Sequence, residues 1–93
     1  MDANSALNEL EALASKLDVV VVYDHLTGEG MSPGGLCKVK GKWRIIIERR
    51  SSTTERLSTL ARALGQFDLE NHYLSPSVRD LVERYNSQEK LNS

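Results

Sequence analysis

Four consecutive valines, Val19-Val20-Val21-Val22, closed by Tyr23, constrain this chain more than any other feature. β-branched side chains lose χ1 freedom in a helix and pack well on a pleated surface, so the run predicts a strand. It is apolar at odd and even positions alike, so neither face of that strand suits open water. Such a strand is expected in the centre of a sheet, or covered by a helix on one side.

The flanking residues say what accompanies it. Leu7, Leu10, Leu13, Ala14 and Leu17 recur at the spacing of one buried helical stripe. They predict a helix over 5–17, with Asn4 or Ser5 as its N-cap. Residues 27–35 hold four glycines and a proline and predict a loop. Leu36 to Val39 and Trp43 to Glu48 predict a β-hairpin around Lys40-Gly41-Lys42. A three-residue connection would set Val39 opposite Trp43 and Cys37 opposite Ile45, with Lys38 across from Arg44 on a wet face. Ser52-Thr53-Thr54-Glu55 reads as a capping box that opens a helix over 53–69. Leu57, Leu60, Ala61 and Leu64 form its buried stripe, closed by Phe67 or Leu69. Ser75-Pro76 starts a third helix, whose stripe is Val78, Leu81, Val82 and Tyr85. The fold class is α+β: an N-terminal helix, a three-stranded, mostly antiparallel sheet and two C-terminal helices. At 93 residues the chain is expected to form one domain over 1–85, with 86–93 as a flexible polar tail.

Several function classes find no support in the residues. No apolar stretch approaches the roughly 20 residues of a membrane span. The start, Met1-Asp2-Ala3-Asn4-Ser5, lacks a basic segment and an apolar signal core, and Cys37 has no second cysteine to pair with. A cytoplasmic protein with a buried, inert thiol is the expectation. The glycine-rich loop leads into a strand rather than into Gly-Lys-Ser/Thr and a helix, so it does not match a phosphate-binding loop. His25, His72, Cys37, Asp68 and Glu70 are the candidate metal ligands, but His25 falls after the first strand and His72 after the second helix, so no helix presents two histidines one turn apart. No metal and no cofactor are expected. Ser51, Ser52, Thr53 and Thr54 are explained by capping, and no Gly-x-Ser-x-Gly occurs. Carboxylates two apart, Glu9/Glu11 and Asp68/Glu70, point to different sides of a helix. No catalytic constellation emerges, so the expectation is a protein that is not an enzyme.

One helix carries a resemblance. Thr59-Leu60-Ala61-Arg62-Ala63-Leu64-Gly65-Gln66-Phe67-Asp68-Leu69 resembles the active-site helix of ImmA/IrrE-type zinc metallopeptidases, where an apolar lead-in precedes His-Glu-Leu-Gly-His. Leu64 and Gly65 match the Leu-Gly pair. Arg62 stands at the first histidine, Ala63 at the glutamate base and Gln66 at the second histidine. The preceding helix, strand, glycine-rich loop and hairpin also follow the order seen in that family, so the resemblance spans roughly residues 5–70. It implies a zincin-like minimal core. The departures imply that its chemistry is lost: arginine is permanently cationic and cannot ligate zinc, and alanine cannot activate water.

The net charge of −1 hides a segregation. Residues 1–37 carry net −5, residues 38–56 net +5, and residues 57–93 net −1. Such asymmetry marks a candidate interaction surface. The expected function is a noncatalytic protein-interaction module on a degenerate peptidase-like scaffold, with a protein partner or a second copy of the chain. The alternative is nucleic-acid binding through the basic hairpin, using Lys38, Lys40, Lys42, Arg44, Arg49 and Arg50, with Trp43 available for stacking.

Overall fold

The structure, a computed structural model, describes residues 2–24 and 35–91, with side chains given as far as Asn86. His25 and most of the glycine-rich loop lie outside the described residues. Six elements follow in the order α1 (Ala3–Lys16), β1 (Val20–Asp24), β2 (Leu36–Val39), β3 (Lys42–Glu48), α2 (Thr53–Leu64) and α3 (Pro76–Leu91). The expected α+β arrangement of one helix, three strands and two helices is present. The backbone of α3 continues through Leu91, into the segment expected as a tail.

The local signals act as chemistry requires. Asp2, rather than Asn4 or Ser5, caps α1: its carboxylate accepts from the Ser5 amide at 2.7 Å. That bond holds the Asp2 carboxyl below its ordinary pKa. The far end of α1 closes by two reversed bonds, Asp18 N–H to Ser15 C=O and Val19 N–H to Ala14 C=O, with Asp18 at φ 60°. This is a Schellman motif with aspartate at the position glycine usually takes. It turns the chain straight from α1 into β1 with no intervening loop. At α2 the capping box is complete, with Ser52 accepting from the Glu55 amide and Glu55 accepting from the Ser52 amide. α2 stops at Leu64, five residues before the expected end at 69. Beyond it the Gly65 amide keeps a helical bond to Ala61, Gln66 and Phe67 make tighter bonds three residues back, and the Asp68 carboxylate takes the Glu70 amide at 3.0 Å, which draws the chain out of the helix.

The sheet departs from expectation in two ways. Its order is β1-β3-β2, with β1 parallel and β2 antiparallel to β3. The sheet is therefore mixed rather than mostly antiparallel, and the valine run is an edge strand rather than a central one; the other expected placement holds, because one of its faces is covered, with Val19 buried and Val21 and Tyr23 packed on the core beside α1. The central place goes to β3, whose Ile45 and Ile47 are fully buried. The outward valines are sheltered by neighbours on the sheet itself, as where Val22 pairs with Ile46.

The hairpin register also shifts by one residue. Val39 faces Lys42, Lys38 faces Trp43, Cys37 faces Arg44 and Leu36 faces Ile45. The connection is two residues, Lys40 at φ 52° and Gly41 at φ 81°, the signature of a type I′ turn. That turn twists with the strands, and the resulting register keeps Leu36 with Ile45 on the buried side. The expected like-charge pair of Lys38 and Arg44 does not form; the two lie on opposite faces.

One core cluster joins Leu7, Leu10 and Leu13 of α1, Ile45 and Ile47 of β3, Leu57, Leu60 and Leu64 of α2, and Val78 and Val82 of α3. α1 packs on α2 and β1, and α2 on β3 and α3. The helices thus gather on the side of the sheet that Ile45 and Ile47 face. A polar clamp ties distant parts of the chain together: the Glu9 carboxylate of α1 accepts from the Ser75 amide at 2.8 Å, at the start of α3.

Candidate interaction surface

The three positions of the resemblance do not converge. Ala63 is fully buried in the core. The Arg62 guanidinium carbon lies 5.8 Å from the centre of the Tyr85 ring, so the side chain is laid against α3. Gln66 is exposed, and its side-chain amide donates to the Arg62 carbonyl at 3.4 Å. Gly65 sits in ordinary helical geometry at φ −66°, so the backbone does not demand glycine. Space does: a Cβ there would overlap the Asn86 side chain. That side chain donates to the carbonyls of Ala61 at 3.0 Å and Val82 at 2.8 Å, knitting the end of α2 to α3. The Leu-Gly pair thus has a local packing explanation in this molecule.

The six basic residues of the hairpin are dispersed. Lys38 lies over Trp43, 5.3 Å from the ring centre. Lys42 pairs with Asp18 at 3.2 Å and Arg49 with Asp24 at 3.7 Å, both at the surface. Arg44 projects from the opposite face to Lys38, beside the half-buried Cys37. Arg49 and Arg50 stand at the far end of β3, about 20 Å from the turn by strand rise. Lys40 and Arg50 are exposed in turns.

A polar network joins residues that stand far apart in the chain. The Tyr23 hydroxyl donates to Glu11 at 2.7 Å, and Arg56 lies 5.0 Å from the Tyr23 ring centre while donating to the Arg49 carbonyl. The network binds α1, β1 and α2. Burial first, then the hydrogen bond and charge of Glu11, push the Tyr23 hydroxyl up to about 12, against the opposing charge of Arg56. Its members lie 12 and 33 residues from Tyr23, so no local spacing rule reveals it.

The surface that gathers charge and apolar area lies at the end of the molecule near the hairpin turn. Trp43 and Phe67 meet edge to face, with ring centres 5.7 Å apart; both pack against the core and keep part of their surface in solvent. On the hairpin side stand Lys38 and Lys40. On the other side Phe67 leads into a groove of about 390 Å³ between the α2–α3 connection and α3. Leu69, Leu74 and Val82 give it apolar walls, and exposed Asp68, Glu70, Glu83 and Arg79 surround it. A second depression of about 360 Å³ lies between the start of α1 and α3. Neither depression is lined by Arg62, Ala63 or Gln66.

Among the described residues, no three His, Cys, Asp or Glu side chains gather as a metal site would require. His72 is half-buried in the α2–α3 connection, where its amide donates to the Leu69 carbonyl. No helix among the described residues is long and apolar enough to cross a membrane. Comparison with known protein families, curated proteins and solved structures gave no match.

Proposed function

We propose that this chain is a noncatalytic protein-interaction module. Its scaffold resembles an ImmA/IrrE-type peptidase core in which positions 62 and 63 serve packing and position 66 is an exposed glutamine. Arg62 covers Tyr85 and Ala63 fills the core, so the residues at these positions are spent on holding α2 to its neighbours. The observation that carries the proposal is the partly buried Trp43–Phe67 pair, set between two lysines and a groove rimmed mainly by acids. Partly exposed aromatics flanked by charge are the usual centre and rim of a protein contact.

Nucleic-acid binding through the hairpin finds less support. It asks for a continuous basic track beside a free aromatic face. Lys42 and Arg49 are engaged with acids, Lys38 occupies one face of Trp43, and the adjoining groove would repel phosphate.

The test is capture by the tagged full chain, compared with Glu70→Lys/Glu83→Lys. The expected result is a stoichiometric protein partner held by the wild type and lost by the variant. A partner retained equally by both, or no partner at all, a second copy of the chain included, refutes the assignment. In parallel, metal analysis after purification with zinc should find far less than one zinc per chain. Stoichiometric, chelator-sensitive zinc with peptide cleavage would overturn the noncatalytic reading.

A further inference from the structure

We propose that the partner of this surface is a second copy of the same chain, bound about a twofold axis beside the Trp43–Phe67 pair. This names the partner for the interaction module above and rests on that assignment. A twofold contact requires one patch to be its own complement: what lies on one side of the axis must fit what lies on the other.

This patch has that form. On one side of the aromatic pair stand Lys38, with its ammonium 5.3 Å from the Trp43 ring centre, and Lys40 at the hairpin turn. On the other side, beyond Phe67, the groove carries Asp68, Glu70 and Glu83 against one cation, Arg79, so this lobe is acidic on balance. A half-turn through the aromatic pair brings the lysines of each copy onto the acids of the other, and does so twice. Trp43 and Phe67 then meet their own images at the centre, where water is excluded by the charged rim.

Other occupants satisfy half of the surface. A basic peptide suits the groove but meets Lys38 and Lys40. An acidic peptide or a nucleic acid suits the hairpin but meets Asp68, Glu70 and Glu83. An identical chain carries both signs in the required order. The contact comprises one hairpin turn, one aromatic pair and one groove edge. That is at or below the about 800 Å² per partner of a standard interface, so the dimer is reversible and salt-sensitive rather than obligate.

The test is sedimentation of the pure full chain over a concentration series, in about 50 and about 500 mM NaCl. Four exposed ion pairs, each worth about twofold, make the dimer about 16-fold weaker at the higher salt. Two variants reverse one lobe each: Lys38→Glu/Lys40→Glu and Glu70→Lys/Glu83→Lys. Asp68 is left in place because its carboxylate holds the Glu70 amide. Each variant alone should be monomeric with unchanged circular dichroism, while their equimolar mixture dimerises. A wild type that stays monomeric at low salt throughout the series overturns the proposal, and so does a dimer that both variants retain. The salt series needs no substitution, so a misfolded variant does not protect the idea. If the pure chain is monomeric but charge-dependent capture of a different protein holds, the second copy is refuted and the interaction module stands. If both fail, both are refuted.

Discussion

Replacing Gly65 by alanine should destabilise the protein, against what helix propensity alone predicts. Gly65 has right-handed helical geometry at φ −66°, so alanine there should gain up to about 1 kcal/mol on propensity grounds. The added Cβ, however, overlaps the Asn86 side-chain amide. Asn86 must swing away and lose its bonds to the Ala61 and Val82 carbonyls, each worth about 1 kcal/mol net. Rearranging the packed α2–α3 contact adds about 1 kcal/mol or more. The balance is a loss of about 1–3 kcal/mol. Urea unfolding followed by the fluorescence of Trp43, the sole tryptophan, and by circular dichroism measures it. The companion variant Asn86→Ala removes the obstacle. In the double variant the change at position 65 should no longer destabilise, giving a coupling of at least about 1 kcal/mol between the sites. If Gly65→Ala alone is neutral or stabilising, or if its cost persists in the Asn86→Ala background, the close approach is not what keeps glycine at this position.

Three further outcomes follow from features described above. The Tyr23 pKa is raised in the folded state, so its contribution to stability is complete below its ordinary value near 10 and is lost as pH rises through about 12. Tyr23→Phe should remove that alkaline decline and cost about 1–2 kcal/mol at neutral pH, both visible in thermal melts across pH. Lys40 holds a left-handed conformation at φ 52° in the hairpin turn, so Lys40→Asn should raise stability by up to about 1 kcal/mol in the same melts. Glu9→Ala leaves the Ser75 amide without its carboxylate and should cost about 1–3 kcal/mol; amide hydrogen exchange should show the first turn of α3 losing protection before the rest of the helix.

The elements were legible because their signals are local. The capping box at Ser52 and Glu55, the Ser75-Pro76 start and the leucine stripe of the first helix each act within one or two helical turns. The hairpin shows where local signals weaken. Lys40-Gly41 lacks the Asn-Gly pairing that announces a two-residue type I′ turn, so a three-residue connection read equally well and moved every partner by one. The place of β1 in the sheet was set by a crossing that no window contains: its partners lie in β3, beyond the whole of β2. An all-valine run shows that both faces need shelter, but not which neighbour supplies it. The interaction surface was visible only in outline. Charge segregation pointed to the hairpin lysines, but the groove depends on residues 67–70 leaving the helix, which the apolar spacing concealed. The Tyr23–Glu11–Arg56 network and the Glu9–Ser75 clamp join residues that only the folded chain brings together.

The strand order has a consequence for how the molecule is made. Val20 pairs with Arg44, so the valine segment leaves the ribosome 24 residues ahead of the strand that receives it. During that interval it is a short, uncharged, strongly β-prone stretch with its hydrogen-bonding groups unclaimed, the kind of sequence that pairs with other nascent chains. The abrupt reversal at Asp18, which lays the valines directly against the newly formed first helix, gives them an apolar neighbour early. A more flexible link between that helix and the valines would be expected to show its cost first in soluble yield, with the melting temperature of the surviving protein little changed.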